Sequence, residues 1–172
     1  MLNQSTLQMM ILLLGIGIFS FVAYGDIRTR RIPNEFIVGI LALAAFRMAL
    51  TGNPSSAFYT LVASAALFVG TFLLFWRGLL GGGDVKLIGA TALLVGYHEL
   101  FEFLVVMSVS GALIALAIVA RDRLGLRRLA TPAAEGPVPE DQETPARLTV
   151  PYGVAIAAAG VISLLAQTLR TG

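Results

Sequence analysis

The sequence predicts an all-α polytopic membrane protein with six transmembrane helices, and composition and pattern both lead to this fold class. Of 172 residues, 57% are hydrophobic and only 13% are charged, whereas soluble domains carry about 25% charged residues. The mean hydropathy is +0.84. The apolar residues form long blocks, and runs of about 18 or more apolar residues indicate membrane-spanning helices. The chain therefore has too little polar surface to form a water-soluble globule.

Six helical segments follow one another along the chain. The predicted helices cover residues 7–24, 35–50, 58–76, 85–97, 101–120 and 150–169. No basic residue precedes the first segment, so it is predicted to be a retained span and not a cleaved signal peptide. Asn34 is placed to cap the second helix, and Pro151 suits the first turn of the sixth, where its missing N–H is not needed.

The fourth segment is short for a transmembrane helix. Its predicted length corresponds to about 20 Å, against a hydrocarbon core of about 30 Å. Either the helix extends back into residues 81–84, or this glycine-rich segment lies below the membrane surface, where protein or water must cover it. The sequence therefore predicts a water-accessible pocket near Asp84.

One segment differs from the rest in composition. Residues 121–149 contain four prolines and charges of both signs, which is typical of a flexible linker. The whole chain, 1–172, is thus predicted to be a single membrane-embedded domain with a flexible cytoplasmic loop at 121–149.

The basic residues predict the orientation in the membrane. Ten of the twelve Lys and Arg residues lie in or beside the loops that follow helices 1, 3 and 5. By the positive-inside rule, these loops face the cytoplasm and both termini lie outside. Arg47 is an exception near the far end of helix 2, from where its side chain is expected to reach the headgroups.

Several kinds of site are not expected from the composition. The chain has no cysteine, and His98 is its single histidine, so disulfides and thiolate or multi-histidine metal sites are excluded. The net charge of +2 is interpreted as a topology signal and not as a nucleic-acid surface. We expect no metal, no cofactor and no nucleic-acid partner.

Two acidic residues stand at predicted membrane boundaries on the same side. Asp26 directly follows helix 1, and Asp84 closes a glycine run and opens helix 4. Two carboxyl groups held close together do not both ionise easily, so one stays protonated while the other stays basic. Such a pair can activate a water and polarise a peptide carbonyl without a metal or a nucleophilic side chain. Simpler interpretations remain open: Asp84 as a helix cap, and Asp26 as a surface partner of nearby arginines.

Three short motifs in order resemble the type IV prepilin peptidase family. Asp26 followed by Ile32, Pro33 and Asn34 resembles its D-x5-I-P-N element, and the segment GGGDVK at 81–86 is similar to its G-x-G-D element followed by x-K. The segment PYG at 151–153 resembles a weaker third signature. The resemblance implies that Asp26 and Asp84 are the catalytic pair. The residues expected to shape the site or bind substrate are Gly81, Gly83, Lys86, Ile32, Pro33 and Asn34.

The resemblance also implies a function and a location. A chain this short is most similar to the peptidases of Flp/Tad-type pili, which cut the cytoplasmic leader peptide from prepilin or pseudopilin precursors in the bacterial inner membrane. The absence of cysteine pairs, and of an inserted domain between helices 1 and 2, argues against the N-methyltransferase activity of longer members. The expected partners are a prepilin precursor and the lipid bilayer.

Three other functions remain open. A small transporter would carry ionisable groups near the bilayer midplane, and a non-enzymatic assembly protein would not depend on either aspartate. A presenilin-type intramembrane protease shares the G-x-G-D element. Among the remaining residues, Lys86 is expected at the interface, and Gly153, Ala157 and Gly160 are expected to serve close helix packing and not chemistry.

Overall fold

The computed structural model describes residues 4–29, 32–123 and 152–171, and all regular structure in these ranges is helical. The six helices are α1 (Gln4–Thr29), α2 (Asn34–Thr51), α3 (Pro54–Trp76), α4 (Gly82–Val95), α5 (Leu100–Arg123) and α6 (Tyr152–Thr171). The predicted all-α class is therefore confirmed. Of the predicted loop at 121–149, the first three residues continue α5, and the rest lies outside the described residues, as does Pro151.

Five of the six helices are long and apolar enough to cross a membrane, and α4 is the exception. It has 14 residues, which corresponds to about 21 Å. It begins at Gly82, so the glycine-rich segment joins the helix, as one of the two alternatives for this segment predicted.

The short helix α4 lies at the centre of the bundle. Nine of its 14 residues are buried, and it packs against α2, α3 and α6, with a smaller contact to α5. The helices α2, α1, α6 and α5 pack in this order along one side of it, and α1 against α6 is the most extensive of these contacts. The outer helices therefore shield α4, while their own outer faces carry exposed apolar side chains suited to lipid.

The carbonyl end of α4 is held by side chains from two other helices. The guanidinium of Arg47 donates hydrogen bonds to the carbonyls of Leu94 and Val95, and the amide of Gln167 donates to the Val95 carbonyl at 2.6 Å. The last carbonyls of a helix have no partner within it, and a cation there is favoured by the helix dipole. Arg47 therefore caps α4, and the expectation that its side chain reaches the headgroups stays a prediction.

Several helix boundaries differ from their predictions by a few residues, and two of the differences concern the predicted motifs. Helix α1 continues to Thr29, so Asp26 lies inside its last turns and does not follow the helix. Pro33, and not Asn34, is the N-cap of α2, and it provides no side-chain hydrogen bond. Asn34 is instead the first helical residue, and its side chain is available to another element.

Candidate active site

Asp26 lies on the buried stripe of α1. Gly15, Phe19, Val22 and Asp26 are all buried, and their spacing of three and four residues places them on one helical face. Asp26 itself is only 6% exposed. The face that holds the apolar core of α1 therefore ends in a carboxyl group, at the end of the bundle where α1 finishes and α2, α4 and α6 begin. We call this the site end.

The first turn of α6 contacts the Asp26 carboxyl group. The backbone N–H of Val154 donates to Asp26 Oδ2 at 3.2 Å. A Cβ atom on Gly153 would lie 2.7 Å from the same oxygen, so the two helices approach as closely as they do because residue 153 has no side chain. The Asp26 carboxyl group is therefore buried and does not lie at the surface. Of the arginines considered as its ion-pair partners, Arg30 and Arg31 lie outside the described residues. Arg28 is exposed and donates to the Tyr24 hydroxyl at 2.6 Å.

Asp84 is the third residue of α4 and turns back towards the start of its own helix. The N–H of Gly81 donates to its carboxyl group, and a Cβ atom on Gly81 would lie 2.8 Å from Asp84 Oδ2. This arrangement matches half of a capping box, in which an acidic residue at the third position binds the N-cap N–H. The alternative that Asp84 caps α4 is thus correct as a description, and it leaves the carboxyl group only half-buried.

The two carboxyl groups influence each other electrostatically. Asp84 lies outside the five spanning helices, and burial, together with the negative charge of Asp26, raises the pKa of Asp84 from 3.8 to about 6. The N–H of Gly81 opposes this shift only in part. A carboxyl group near a second one, in a partly dry environment, keeps its proton to a higher pH. The arrangement can therefore keep Asp84 protonated up to about pH 6 beside a second carboxyl group.

The predicted motif residues meet at the same end of the bundle. The Lys86 ammonium group donates to Asn34 Oδ1 at 3.4 Å, which joins the start of α4 to the start of α2. The side chain of Ile32 lies against Gly83, where an added Cβ would be 3.5 Å from Ile32 Cβ. Pro33 and Lys86 are exposed, and Ile32 is half-buried. All eight predicted site residues thus lie near the N-terminal ends of α2 and α4 or on the last turns of α1.

Sequence reasoning missed the contact between the α6 N-terminus and Asp26. It assigned Gly153, Ala157 and Gly160 to helix packing, and the close approach of α6 to α1 agrees with this at Gly160, where a Cβ would lie 2.6 Å from the Phe19 ring, and at Gly153. At Gly153 the approaching atoms include the Asp26 carboxyl group. The regular spacing of Phe19, Val22 and Asp26 was the signal in the sequence that this carboxyl group faces a neighbouring helix.

A cavity of about 480 Å³ lies at the opposite end of the bundle, among Gln8, Arg47, Thr60, Tyr97 and Gln167. It contains none of the predicted site residues, and the water-accessible pocket near Asp84 stays a prediction. Within the three described ranges, no group of three or more His, Asp or Glu side chains is placed to hold a metal ion.

The model of the type IV leader peptidase family matches residues 11–116, which is more than half of the chain and includes Asp26, Asp84 and the Ile32–Asn34 motif. The match ends before α6, so it does not include Gly153. No curated protein and no solved structure matches the chain.

Proposed function

The chain belongs to the type IV leader peptidase family, and we propose on this premise that it is a membrane aspartic endopeptidase with Asp26 and Asp84 as its catalytic pair. Its substrates are Flp-like prepilin or pseudopilin precursors in the bacterial inner membrane, from which it removes the cytoplasmic leader peptide. The site end faces the cytoplasm, and both termini lie outside.

The electrostatic coupling of the two aspartates is the observation that carries this proposal. They are far apart in the sequence and on different helices, yet the charge of Asp26 raises the pKa of Asp84. One carboxyl group is buried and the other half-buried. A structural protein has no need for two partly dry, mutually repelling carboxyl groups, whereas strongly perturbed titratable groups are typical of catalytic sites.

The chemistry needs only these two groups and a water molecule. The ionised carboxylate takes a proton from the water while the water oxygen bonds to the peptide carbonyl carbon. The protonated carboxyl group donates a hydrogen bond to the carbonyl oxygen. The tetrahedral intermediate then loses the amine, which takes a proton from the carboxyl group that received one from water. The products are a free carboxyl terminus on the leader and a free amino terminus on the pilin.

The motif residues around the pair fit a peptide-binding role. Gly81 is exposed and carries no side chain, so a substrate strand can approach the backbone before α4 at this residue. The space beside Gly83 is occupied by the Ile32 side chain. Ile32 and Asn34 hold the start of α2 against α4. Because α1 ends at Thr29 and α2 begins at Asn34, no domain is inserted between them, which supports peptidase activity without N-methylation.

A cleavage assay in membranes tests the proposal. A pilin-like precursor is incubated with wild-type protein and with the Asp26→Asn and Asp84→Asn variants, which keep size and polarity but remove the ionisable group. Glu35→Gln is the matched control, because Glu35 is an exposed carboxylate at the same end of the bundle. We expect both Asp variants to lose leader removal and the control to retain it. Normal cleavage by either Asp variant contradicts the proposed catalytic pair, whereas no cleavage by wild-type protein favours a non-enzymatic assembly protein.

A further inference from the structure

We propose that the N-terminus of α6 makes Asp26 the ionised, water-activating member of the pair, that Gly153 is the positioning residue for this carboxylate, and that Asp84 is the acid. This inference rests on the proposed function, because it assigns roles within the same site. It departs from the sequence interpretation of Gly153 as a packing residue.

The contact between α6 and Asp26 favours the ionised form of the carboxyl group. The N–H groups in the first turn of a helix have no carbonyl partner within it, and the N–H of Val154, the third residue of α6, donates to Asp26 Oδ2 at 3.2 Å. A helix N-terminus carries partial positive charge and binds anions. An N–H donor can bind a carboxylate oxygen but offers nothing that a carboxyl proton could bind.

Space, and not backbone conformation, requires glycine at position 153. An added Cβ would lie 2.7 Å from Oδ2, 2.8 Å from Cγ and 3.0 Å from Cβ of Asp26. Gly52, Gly78 and Gly96 have positive φ angles, but Gly153 does not, so an alanine can adopt its backbone conformation. A side chain there has to push the carboxyl group away from the Val154 N–H.

The two carboxyl groups consequently have different surroundings. Burial and the negative charge of Asp26 raise the pKa of Asp84. Asp84 is therefore the member of the pair that we expect to hold the shared proton. Charged or titratable groups at the site end include Arg77 after α3, Lys86 on α4, Glu35 on α2, Tyr152 on α6, Arg121 and Arg123 on α5, and Tyr24 and Arg28 on α1. Lys86 binds Asn34 and Arg28 binds Tyr24. Asp26 accepts an N–H from a different helix, α6, whereas Asp84 accepts the N–H of Gly81 at the start of its own helix.

Gly160 provides a matched control on the same helix interface. A Cβ atom there would lie 2.6 Å from Cζ of Phe19, so Gly160→Ala disturbs the packing of α1 on α6 about as much as Gly153→Ala does. Gly160 lies about two helical turns from Gly153 and contacts an apolar ring. A purely structural role for Gly153 predicts that the two variants behave alike.

The first experiment measures cleavage kinetics in membranes across pH for wild-type protein, Gly153→Ala and Gly160→Ala. A misplacement of about 1 Å can slow a reaction about 100-fold. We expect Gly153→Ala to lower kcat by about 10- to 100-fold with little change in KM, and to move the acid limb of the pH–rate profile to higher pH. Gly160→Ala is expected to keep the wild-type profile and to lose only thermal stability. An unchanged acid limb in Gly153→Ala, or equal changes in both variants, overturns the proposal.

A second experiment does not depend on peptidase activity. In the Asp84→Asn background, carbon-13 NMR of labelled aspartate reports the ionised fraction of Asp26, whose signal is assigned by its loss in Asp26→Asn/Asp84→Asn. We expect Asp26 to be mostly ionised at pH 5, adding Gly153→Ala to lower this fraction, and adding Gly160→Ala to leave it unchanged. An ionised fraction that Gly153→Ala does not lower overturns the proposal even where cleavage is normal. If the NMR change is as expected but the protein has no cleavage activity, the ionised state of Asp26 at the α6 N-terminus is supported and only the proposed function is contradicted.

Discussion

At the scale of single residues, the site shows how one residue type acquires two environments. Asp26 is buried within a spanning helix and receives an N–H from another helix, whereas Asp84 is half-buried at a helix start and receives an N–H from its own N-cap. Pairs of titratable groups with diverging environments identify acid and base roles. The structure therefore shows a difference in burial and hydrogen bonding between the two aspartates that the motifs alone do not contain.

The raised pKa of Asp84 predicts a pH dependence of stability. Its pKa is about 6 in the folded protein and 3.8 without the fold, so between about pH 4 and pH 6 the folded state binds a proton that the unfolded state has released. Stability contributed by this group is present at lower pH and is lost as pH rises through this window. We expect the unfolding temperature of purified protein in detergent to fall more steeply with pH for wild type than for Asp84→Asn.

Glu35→Gln is the control for this measurement. Glu35 is exposed, so its replacement is expected to leave the wild-type slope unchanged between pH 4 and 6. Equal slopes in wild type and Asp84→Asn contradict a raised pKa of Asp84 in the folded protein.

At the scale of elements, α4 is a short helix whose two ends are held differently. Its N-terminus carries Asp84 and is tied to α2 through Lys86 and Asn34, while its C-terminus is bound by Arg47 and Gln167. Carbonyl groups that end inside a bundle cannot be satisfied by bulk water. The cationic cap therefore allows a 14-residue helix to end within the bundle and places Asp84 at the site end.

Removal of the cap is predicted to destabilise the protein. Arg47→Met leaves the carbonyl of Leu94 without its donor and the carbonyl of Val95 with one fewer, and a buried polar group left unsatisfied costs about 1–3 kcal/mol. We expect a lower unfolding temperature in detergent and faster amide exchange over residues 90–95.

Arg170→Met is the comparison for the cap. The Arg170 side chain is 60% exposed, and it pairs with Glu99 at 2.7 Å. Exposed ion pairs contribute little to stability, so this variant is expected to unfold near the wild-type temperature. An effect of Arg170→Met as large as that of Arg47→Met contradicts the capping role.

At the scale of the whole molecule, one helix is surrounded and five face the membrane. Helix α4 is mostly buried, and α3 rests mainly on α4. The fold thus brings the ends of α1, α2, α4 and α6 together at the site end. The orientation of this end in the membrane decides which side of the membrane the carboxyl groups face.

The natural absence of cysteine allows a direct test of orientation. Ser55 near the start of α3 and Leu79 before α4 are exposed and lie at opposite ends of α3. In intact spheroplasts, we expect a membrane-impermeant maleimide to label Ser55→Cys, and to label Leu79→Cys only after lysis. The reverse pattern places the carboxyl groups outside and contradicts the proposed cleavage of a cytoplasmic leader.

The sequence by itself determined the helical membrane class and the approximate positions of the helices. It also singled out Asp26 and Asp84 as candidate site residues. Apolar runs and charge asymmetry are properties of contiguous segments, and the motifs around Asp26 and Asp84 are equally local. The sequence also indicated that the fourth helix is short. It placed the end of helix 1 too early, because the polar and basic residues after Tyr24 read as a loop, although α1 continues to Thr29.

Only the tertiary structure decided which groups contact these aspartates. The N–H of Val154 donates to Asp26, and the guanidinium of Arg47 donates to the carbonyl of Val95 at the end of α4. In both hydrogen bonds, donor and acceptor are far apart in the chain. Such contacts depend on how helices rotate and pack against one another, and helix packing is set by all side chains of both faces together. The close approach of Asp26 to Gly153 arises in the same way, because a missing side chain matters only where another helix occupies the space.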